Sequence, residues 1–344
     1  MQQEAQQIPR KVLGNTKTEV SRIGYGCMGL SAFYTTDPIP EEQGIEIIGK
    51  AIEQGQNFFD TAYIYGDNEK LLGKAIKKFG RDKFFLATKF PAMLIKGQER
   101  VKNPGTVENI KEYCRQSLER LDIDQIDLYY AHRVDSEIPI EKQVEGFKQL
   151  IEEGKIRFYG LSEASEDSIR RAHKYYPLTA VQEEFSLQTR DIEENGVLKA
   201  CKELGIAVVA YSPIGRGLLT GAVKSTSELE KTDFRQSLAP RFQGENLQKN
   251  VQQVEELKKI AVELKVTPSQ LALAWLLHKG DNIFPIPGTK REKYLIENQN
   301  AAQIKLTPEV VKKIDDLFPL GSTAGLRYPQ EYMHFTNIST PPLQ

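Results

Sequence analysis

The feature that most constrains the fold is a joint that occurs four times along the chain. In each copy a helical stretch ends at a glycine, and a short β-branched or aromatic run follows within a few residues; the glycines are Gly55, Gly80, Gly154 and Gly205. Glycine suits the position after a helix because it adopts the left-handed conformation without a Cβ clash. Each joint therefore predicts a helix, a cap and a strand, in that order.

The segments between these joints carry apolar residues at helical spacing. We predict amphipathic helices over 110–121, 144–151 and 247–260. A further helix is predicted to begin at Thr267-Pro268, because a capping hydroxyl precedes the proline and Gln270 follows three residues later; Thr307-Pro308 repeats this start. Strands that alternate with helices are typical of parallel sheets built from crossover units.

The number of candidate strands favours one closed architecture. The candidates span 21–26, 57–60, 83–89, 126–132, 155–162, 179–183, 206–212 and 282–288. Eight strands close a (β/α)8 TIM barrel, and no linker or change of composition divides the chain. We therefore predict a single α/β domain over 11–320, with a flexible N-terminus at 1–10, an N-terminal β-hairpin, and a tail at 321–344 that forms a C-terminal substrate loop.

A doubly wound open sheet is the main alternative fold. Gly24-Tyr-Gly26-Cys-Met-Gly29 fits the dinucleotide-binding pattern G-x-G-x-x-G, but that fingerprint requires a helix to open directly at the motif. A stretch containing Pro38 and Pro40 follows instead, and it does not start a helix. We therefore interpret the match as accidental.

Composition and charge exclude several classes of protein. Lys and Arg number 46 against 47 Asp and Glu, a net charge of −1, so no overall field attracts nucleic acid or an anionic membrane. The longest apolar run, 271–277, is far shorter than the ~20 residues that a membrane helix needs. Cys27, Cys114 and Cys201 form no C-x-x-C pair, so we predict neither disulfides nor a metal site. The start of the chain lacks the apolar region of a signal peptide, which favours a cytoplasmic location.

Polar or ionisable residues close the predicted strands, although the strands themselves are largely apolar. These residues are Asp60, Lys89, His132, Ser162, Gln182 and Tyr211. In a barrel, catalytic residues lie at the carboxyl ends of the strands. Each residue alone has a structural explanation, such as a turn cap or an ion pair. Their joint placement predicts one site.

A proton donor can be assembled from part of this set. Tyr65 follows Asp60 by five residues, and a tyrosine with an ordinary pKa near ~10 is a poor acid at neutral pH. An ammonium at Lys89 would stabilise the phenolate, and the Asp60 carboxylate would keep that lysine charged. His132 would orient a substrate oxygen through a neutral hydrogen bond, whereas we interpret Tyr63 as a packing residue.

These residues lie in motifs that resemble those of a known family, the aldo-keto reductases. The motifs are Asp60-Thr-Ala-x-x-Tyr65-Gly66, Glu69-x-x-Leu72-Gly73, Thr88-Lys89, Tyr129-Tyr-Ala-His132, Gly160-Leu-Ser162 and Ala210-Tyr-Ser-Pro213, in the family's order. The resemblance extends from Lys11 to Asn298. Further motifs resemble the branch labelled auxin-induced-like, perakine-reductase-like or pyridoxal-reductase-like: His132-Arg-Val-Asp135, Tyr211-Ser-Pro-Ile-Gly-Arg-Gly-Leu218, Pro287-Gly-Thr-Lys290 and Arg327-Tyr-Pro329.

The resemblance implies a (β/α)8 barrel that binds NADPH across its carboxyl face and reduces an aldehyde or ketone to the alcohol. By family role, Tyr65 would be the general acid, Asp60 and Lys89 would tune it, and His132 would orient the substrate. The partner implied is a small carbonyl compound, with neither nucleic acid nor a membrane involved.

The resemblance also implies a set of cofactor contacts. Ser162 and Gln182 match positions that hold the nicotinamide carboxamide, and Tyr211 matches the aromatic residue that stacks beneath the ring. Ser212, Ile214 and Leu218 match the pyrophosphate loop, and Cys27 and Met28 match the first-strand loop beside the cofactor. Lys290, Glu297 and Asn298 match the segment around the adenosine 2′-phosphate. The remaining implied cofactor-binding residues are Asp60, Pro213, Gly215, Gly288 and Thr289. Thr289-Lys290-Arg291 precede a predicted helix, and a helix N-terminus with two cations suits a dianionic phosphate, which favours NADP over NAD.

Two departures from the family pattern and two other functions stay open. Glu163 stands where many members carry asparagine, and Glu69 lies one residue further from Tyr65 than in many relatives. One alternative function is a barrel lyase that uses Lys89 as a Schiff-base nucleophile. The other is a non-catalytic, NADPH-binding regulatory subunit, which the intact set of candidate catalytic residues disfavours.

Overall fold

The computed structural model describes residues 8–32, 39–91, 104–230 and 233–344. Within the predicted flexible N-terminus, residues 1–7 therefore lie outside the described residues. Ile8 is buried and packs in one cluster with Ile23 and Leu273. The start of the described chain is thus attached to the body of the protein.

Parallel strands form a closed barrel. The strands are β1 (Arg10–Val12), β2 (Glu19–Ser21), β3 (Tyr25–Gly26), β4 (Phe58–Asp60), β5 (Phe85–Phe90), β6 (Ile126–Ala131), β7 (Ile156–Ser162), β8 (Ala180–Glu184), β9 (Ala207–Tyr211) and β10 (Ile283–Pro285). Among the described residues, β3 to β10 make one eight-stranded sheet in sequence order. Its outer strands meet, since the N–H groups of Gly24 and Gly26 donate to the carbonyls of Pro285 (2.9 Å) and Pro287 (3.2 Å). The predicted (β/α)8 barrel is confirmed.

The glycines of the G-x-G-x-x-G match serve this seam. A Cβ at Gly26 would lie 2.6 Å from the carbonyl oxygen of Ile286, closer than real Cβ contacts allow. A short 3-10 helix at Met28–Leu30 follows, and the next described helix begins only at Glu41. The interpretation of the match as accidental is therefore confirmed.

The predicted N-terminal hairpin is present and closes one end of the barrel. Strands β1 and β2 pair antiparallel, and Leu13 and Val20 join the cluster of side chains inside the barrel. The sequence predicts Ser21 at the start of the first barrel strand, but Ser21 pairs within the hairpin instead. The chain changes direction between the hairpin and β3, and no glycine or proline separates Ser21 from Ile23 to mark that boundary.

Helices surround the sheet and begin and end largely where the sequence predicts. They are α1 (Glu41–Glu53), α2 (Asn68–Phe79), α3 (Val107–Leu121), α4 (Ile140–Glu152), α5 (Glu166–Tyr175), α6 (Val197–Glu203), α7 (Gly244–Glu263), α8 (Pro268–His278), α9 (Glu292–Asn300) and α10 (Pro308–Leu317). The four joint glycines, Gly55, Gly80, Gly154 and Gly205, have φ of 88°, 96°, 68° and 67°. The capping box at Thr267 and Gln270 is formed. The predicted order of helix, glycine and strand is confirmed.

The core has two layers that leave only the strand ends for chemistry. Inside the barrel, Phe58, Phe85, Leu128 and Phe284 pack together, while a larger cluster fills the space between the sheet and the helices. Because both faces of the strands are buried, polar groups can reach solvent or a ligand only at the ends of the barrel.

The C-terminal segment 321–344 returns to the carboxyl face of the barrel. The N–H of Ile338 donates to the carbonyl of Glu163 over 2.7 Å, just beyond β7. Further along, the guanidinium of Arg171 donates to the carbonyl of Pro341 over 2.7 Å. The segment is therefore held against the end of the barrel where the candidate site residues lie.

Among the described residues, no single helix is both long enough and apolar enough to cross a membrane. Helices α7 and α8 pass by length and composition only when taken together, and they meet at an angle of 86°.

Candidate active site

An enclosed ion pair lies at the carboxyl ends of β4 and β5. The Nζ of Lys89 donates to Oδ1 of Asp60 over 2.5 Å and to the carbonyl of Thr61 over 2.7 Å. Gln182 donates from its amide nitrogen to the other oxygen of Asp60 over 2.8 Å. Lys89 is fully buried and Asp60 is 3% exposed. Three of the residues that close predicted strands therefore meet in one network.

Burial and pairing act in opposite directions on this ion pair. Burial raises the pKa of Asp60, and the nearby Lys89 ammonium opposes that shift. Burial likewise lowers the pKa of Lys89, against the attraction of the carboxylate. Because each group is hydrogen-bonded to the other, the charged forms support one another in a space without solvent.

The loop between β4 and α2 places Tyr65 above this pair. The Nζ of Lys89 lies 5.4 Å from the centroid of the Tyr65 ring, and Tyr65 is 9% exposed. Its carbonyl accepts a hydrogen bond from the hydroxyl of Ser31 over 2.7 Å, and Asn68 in turn donates to that hydroxyl over 2.8 Å. The loop is thus fixed from both sides, and the ring lies over the lysine.

His132 faces the same tyrosine from the end of β6. The ring centroids of Tyr65 and His132 are 5.9 Å apart, with planes at 86°. Burial, reinforced by the positive charges of Lys89 and Arg133, holds the pKa of His132 well below its ordinary value of 6.5. The imidazole is therefore neutral near pH 7 and can donate a hydrogen bond without carrying charge.

Tyr63, two residues before Tyr65, has a packing role. Its ring lies 5.1 Å from that of Tyr113, its hydroxyl donates to Gln116 over 2.7 Å, and the guanidinium of Arg120 lies 3.8 Å from its centroid. The structure therefore supports the interpretation of Tyr63 as a packing residue.

Glu69, which lies one residue further from Tyr65 than in many relatives, connects the start of α2 to the barrel. It is fully buried, accepts a hydrogen bond from the hydroxyl of Thr88 over 2.7 Å, and lies 3.4 Å from a guanidinium nitrogen of Arg120. Burial raises the pKa of Glu69, although the hydrogen bond from Thr88 opposes the shift. Its position one residue further from Tyr65 is thus accommodated by contacts to β5 and α3.

The three residues matched to the nicotinamide lie side by side. Ser162 ends β7 in register with Gln182 on β8, and Tyr211 ends β9 in register with Glu184. Ser162 and Gln182 offer a hydroxyl and an amide, which together supply donors and acceptors for a carboxamide. The ring of Tyr211 is half-buried, so one aromatic face borders this end of the barrel.

The residues matched to the pyrophosphate follow directly after β9. They are Ser212, Ile214 and Leu218, and the cofactor-binding candidates Pro213 and Gly215 lie between them. Ser212 has φ of 49° and Gly215 of 59°, so the backbone turns sharply here. The side chain of Leu218 is fully buried among apolar residues, as is that of Cys27 in the loop after β3, whereas Met28 is half-exposed. Leu218 and Cys27 therefore offer no exposed side chain to a ligand.

The residues matched to the adenosine end lie between β10 and α9. Gly288 is exposed, Thr289 and Lys290 are half-exposed, and α9 begins two residues after Lys290. Burial lowers the pKa of Lys290, opposed by the carboxylates of Glu230 and Asp233. Because β10 pairs with β9, this loop adjoins the one after Tyr211. The residues matched to the pyrophosphate and to the adenosine end therefore lie in neighbouring loops at the carboxyl face.

Two matched residues of α9 are less available. Glu297 accepts a hydrogen bond from the hydroxyl of Thr267 over 2.9 Å and so helps to cap α8. Asn298 is 5% exposed. The cations that could contact a phosphate at the adenosine end are therefore those at the start of α9, Lys290 and Arg291.

Glu163, the departure next to Ser162, faces the C-terminal segment. Its carboxylate accepts hydrogen bonds from Tyr211 over 2.7 Å and from both terminal nitrogens of Arg327. The sequence motifs mark Glu163 and Arg327 separately and do not connect them, since 164 residues separate them. Ser31 and Asn68 are not among the predicted site residues: Asn68 lies three residues after Tyr65, and Ser31 carries no sequence signal.

Comparisons with known proteins place this arrangement in one family. The protein-family model described as Aldo/keto reductase family matches residues 22–318 of this chain. A probable aldo-keto reductase 1 of Glycine max is 46% identical over 340 residues, covering 98% of this chain and 97% of that protein. The Schizosaccharomyces pombe protein named Aldo-keto reductase yakc (NADP(+)) is 46% identical over 349 residues, covering 98% and 99%.

Solved structures of the same family and fold also match this chain. The thermostable aldo-keto reductase Tm1743, in complex with the inhibitor epalrestat, matches with a TM-score of 0.73 and 30% identity, covering 90% of this chain and 100% of that chain. The glycerol dehydrogenase of Gluconobacter oxydans matches with a TM-score of 0.79 and 25% identity, covering 97% and 98%. The chain therefore belongs to the aldo/keto reductase family, whose general activity is the NAD(P)-dependent reduction of carbonyl compounds.

Proposed function

We propose that this protein is an NADPH-dependent reductase that converts an aldehyde or ketone to the alcohol, with Tyr65 as general acid. The observation that carries the proposal is the position of the Tyr65 ring, 5.4 Å from the ammonium of Lys89 and 5.9 Å from the imidazole of His132. A carbonyl oxygen between a phenol and a neutral imidazole receives two hydrogen-bond donors.

The proposed proton transfer runs through these residues. Tyr65 donates its phenolic proton to the carbonyl oxygen, and the Lys89 ammonium favours the phenolate that remains. Asp60 holds that ammonium in place through its 2.5 Å contact. His132 donates a hydrogen bond to the same oxygen, which stabilises the negative charge as it develops.

The cofactor residues fit a nicotinamide dinucleotide. When bound, NADPH supplies the hydride that reduces the carbonyl carbon. Ser162 and Gln182 would hold the carboxamide, and the half-buried face of Tyr211 would support the ring. The fit has a limit, because the amide nitrogen of Gln182 already donates to Asp60, so its carbonyl oxygen is the group left for a ligand.

The preference for NADP over NAD rests on the start of α9. Lys290 and Arg291 lie at the N-terminus of that helix, where a positive dipole and two side-chain cations favour a dianionic phosphate. The name of the Schizosaccharomyces pombe relative, which includes NADP(+), supports the same assignment. The segment 321–344, which lies on the carboxyl face, is proposed as the substrate loop.

The contacts of Lys89 argue against the lyase alternative. A Schiff-base lysine must present an unprotonated amine to the substrate, but Lys89 is fully buried and donates to Asp60 and to the Thr61 carbonyl. Borohydride trapping with a carbonyl substrate is therefore expected to leave Lys89 unlabelled. Labelling at Lys89 without any need for NADPH would favour the lyase.

The proposed function is tested by NADPH oxidation against a panel of aldehydes and ketones. We expect turnover with at least one carbonyl, and a loss of kcat of about 10² or more in Tyr65→Phe, because that is the usual contribution of a positioned general acid. Tyr63→Phe is the matched control, since Tyr63 packs outside the site. A Tyr65→Phe variant with the wild-type rate would remove Tyr65 from the role. NADPH binding without turnover of any carbonyl would favour the regulatory-subunit alternative.

A further inference from the structure

A buried salt bridge joins the C-terminal segment to the end of β7. The carboxylate of Glu163 is 1% exposed and the guanidinium of Arg327 is 7% exposed. Arg327 donates to both oxygens of Glu163, from Nη2 to Oε1 and from Nη1 to Oε2 over 3.3 Å. Although burial alone would raise it, Arg327 and Arg133 hold the pKa of Glu163 below its ordinary value. A two-point contact between buried charges fixes the geometry of both side chains.

Both ions also contact the hydroxyl of Tyr211. That hydroxyl donates to Oε1 of Glu163 over 2.7 Å and accepts from Nη2 of Arg327 over 2.8 Å. The hydroxyl of Tyr328, the residue after Arg327, lies 3.3 Å away. Tyr211 is thus held at its backbone by β9 and at its far end by charge-assisted hydrogen bonds. A swing of the side chain about its Cα–Cβ bond would carry the hydroxyl away from Glu163 and Arg327 and break both of these bonds.

Arg327 is itself held on its other side. Its Nε lies 3.4 Å from Oε2 of Glu184, and its carbonyl accepts a hydrogen bond from Arg216 over 3.2 Å. Arg216 belongs to the loop after β9 and pairs with Glu184 over 3.0 Å. The contact to Tyr211 is therefore part of a rigid network and not a single mobile side chain.

We propose that Glu163 and Arg327 are positioning residues for the cofactor, because they hold the side chain of Tyr211 in the place where its ring would support the nicotinamide. This inference rests on the proposed function, which assigns that ring to the cofactor. A ring that is ordered before binding loses less conformational freedom when the cofactor arrives, so the affinity for NADPH is higher. The proton-transfer residues touch neither Glu163 nor Arg327, so the effect falls on cofactor binding first.

The test compares NADPH affinity, measured by calorimetry, with the KM for a carbonyl substrate. Tyr211→Phe removes only the hydroxyl and leaves the ring and the Glu163–Arg327 salt bridge in place. Arg327→Gln removes the charge, and Arg327→Lys restores it without the two-point geometry. We expect Tyr211→Phe and Arg327→Gln each to weaken NADPH binding by about 3- to 10-fold, the usual cost of ordering one side chain on binding.

The matched control loosens the same segment elsewhere. Arg171 holds the segment by its contact to the carbonyl of Pro341 and pairs with Glu141 over 2.8 Å, away from Tyr211. Arg171→Gln is expected to bind NADPH like the wild type. The double variant Tyr211→Phe/Arg327→Gln is expected to lose less than the product of the two single losses, because both act through one hydroxyl.

Each outcome decides the inference. Unchanged NADPH affinity in Tyr211→Phe, or an equal loss in Arg171→Gln, would overturn it. An unfolded Arg327→Gln would leave the decision to Tyr211→Phe, which retains every buried charge. If the wild type neither binds nor oxidises NADPH, the proposed function itself fails, and that result is seen before any variant is compared.

Discussion

The ammonium of Lys89 and the carboxylate of Asp60 lie 2.5 Å apart at the carboxyl ends of neighbouring strands, and both are almost completely shielded from solvent. Burial disfavours the charged form of each group, so each depends on the other to stay ionised. A pair of this kind is weak as a net stabiliser but costly to break from one side, because the remaining charge is then buried without a partner.

Asp60→Asn is therefore expected to lower both stability and activity. The free energy of unfolding, measured by urea denaturation, should fall by about 3 to 5 kcal/mol, the usual effect of removing one partner of a buried ion pair. The control is Glu53→Gln, which removes the exposed Lys50–Glu53 pair and should leave stability within error. Equal effects in the two variants would mean that burial of the Asp60–Lys89 pair has no energetic consequence.

A second prediction concerns the neutral state of His132. Its pKa is lowered well below 6.5 by burial and by the Lys89 and Arg133 charges, so between pH 6.5 and the folded-state pKa the unfolded chain binds more protons at this residue than the folded chain. The contribution of neutral His132 to stability is thus complete above pH 6.5 and declines as the pH falls.

The measurement compares unfolding free energies at pH 7.5 and pH 5.5 for the wild type and His132→Gln. The wild type should lose about 1 kcal/mol more than the variant, since one unit below the unfolded pKa is worth about 1.4 kcal/mol. His173→Gln is the control, because that residue lies on α5, away from the site. Parallel losses in the wild type and His132→Gln would show that His132 titrates normally.

The site residues at the strand ends were predictable from the sequence, because a polar residue that ends an apolar run is a local pattern. Asp60, Lys89 and Tyr211 lie in the last positions of largely apolar strands, and His132 follows directly after one. The alternation of strands and helices brings such strand ends to one face. The position of Tyr65 over Lys89 follows from the same rule, because its loop begins at the end of the neighbouring strand.

The contacts that hold these residues were not predictable, because they join distant loops. Ser31 reaches Asn68 across 37 residues, and Arg327 reaches Glu163 across 164. Neither contact has a spacing or periodicity that a sequence displays. Strand β3 shows the related limit at element boundaries, since Ser21 belongs to the hairpin although no glycine or proline separates it from Ile23.

A further prediction concerns the start of α9. Lys290→Gln should raise the KM for NADPH by about 10-fold or more, because a charge-assisted hydrogen bond to phosphate is lost, and should leave the KM for NADH unchanged. Lys293→Gln, an exposed lysine within the same helix, is the matched control and should affect neither cofactor. Equal changes for NADPH and NADH would show that Lys290 does not contact the 2′-phosphate.

The last prediction concerns Glu184 and the arginines around it: we expect them to make the free energy of unfolding fall at acid pH. Although burial alone would raise it, the guanidiniums of Arg216, Arg327 and Arg241 lower the pKa of Glu184 to about 2. The unfolded chain, with an ordinary value of 4.5, binds more protons between these limits. The contribution to stability is therefore complete above pH 4.5 and is lost as the pH falls towards about 2, amounting to about 3 kcal/mol.

Glu112, an exposed carboxylate whose pKa is lowered to the same value, serves as the control for the buried carboxylate of Glu184. A hydrogen bond from Arg115 lowers the pKa of Glu112 to about 2 as well, but Glu112 lies on the surface of α3. Salt screens exposed charges and reaches buried ones much less. In high salt, the loss of stability between pH 5 and pH 3 should thus be smaller in Glu184→Gln than in the wild type, while Glu112→Gln should match the wild type. An identical pH dependence in all three proteins would place the acid sensitivity outside the contacts of Glu184.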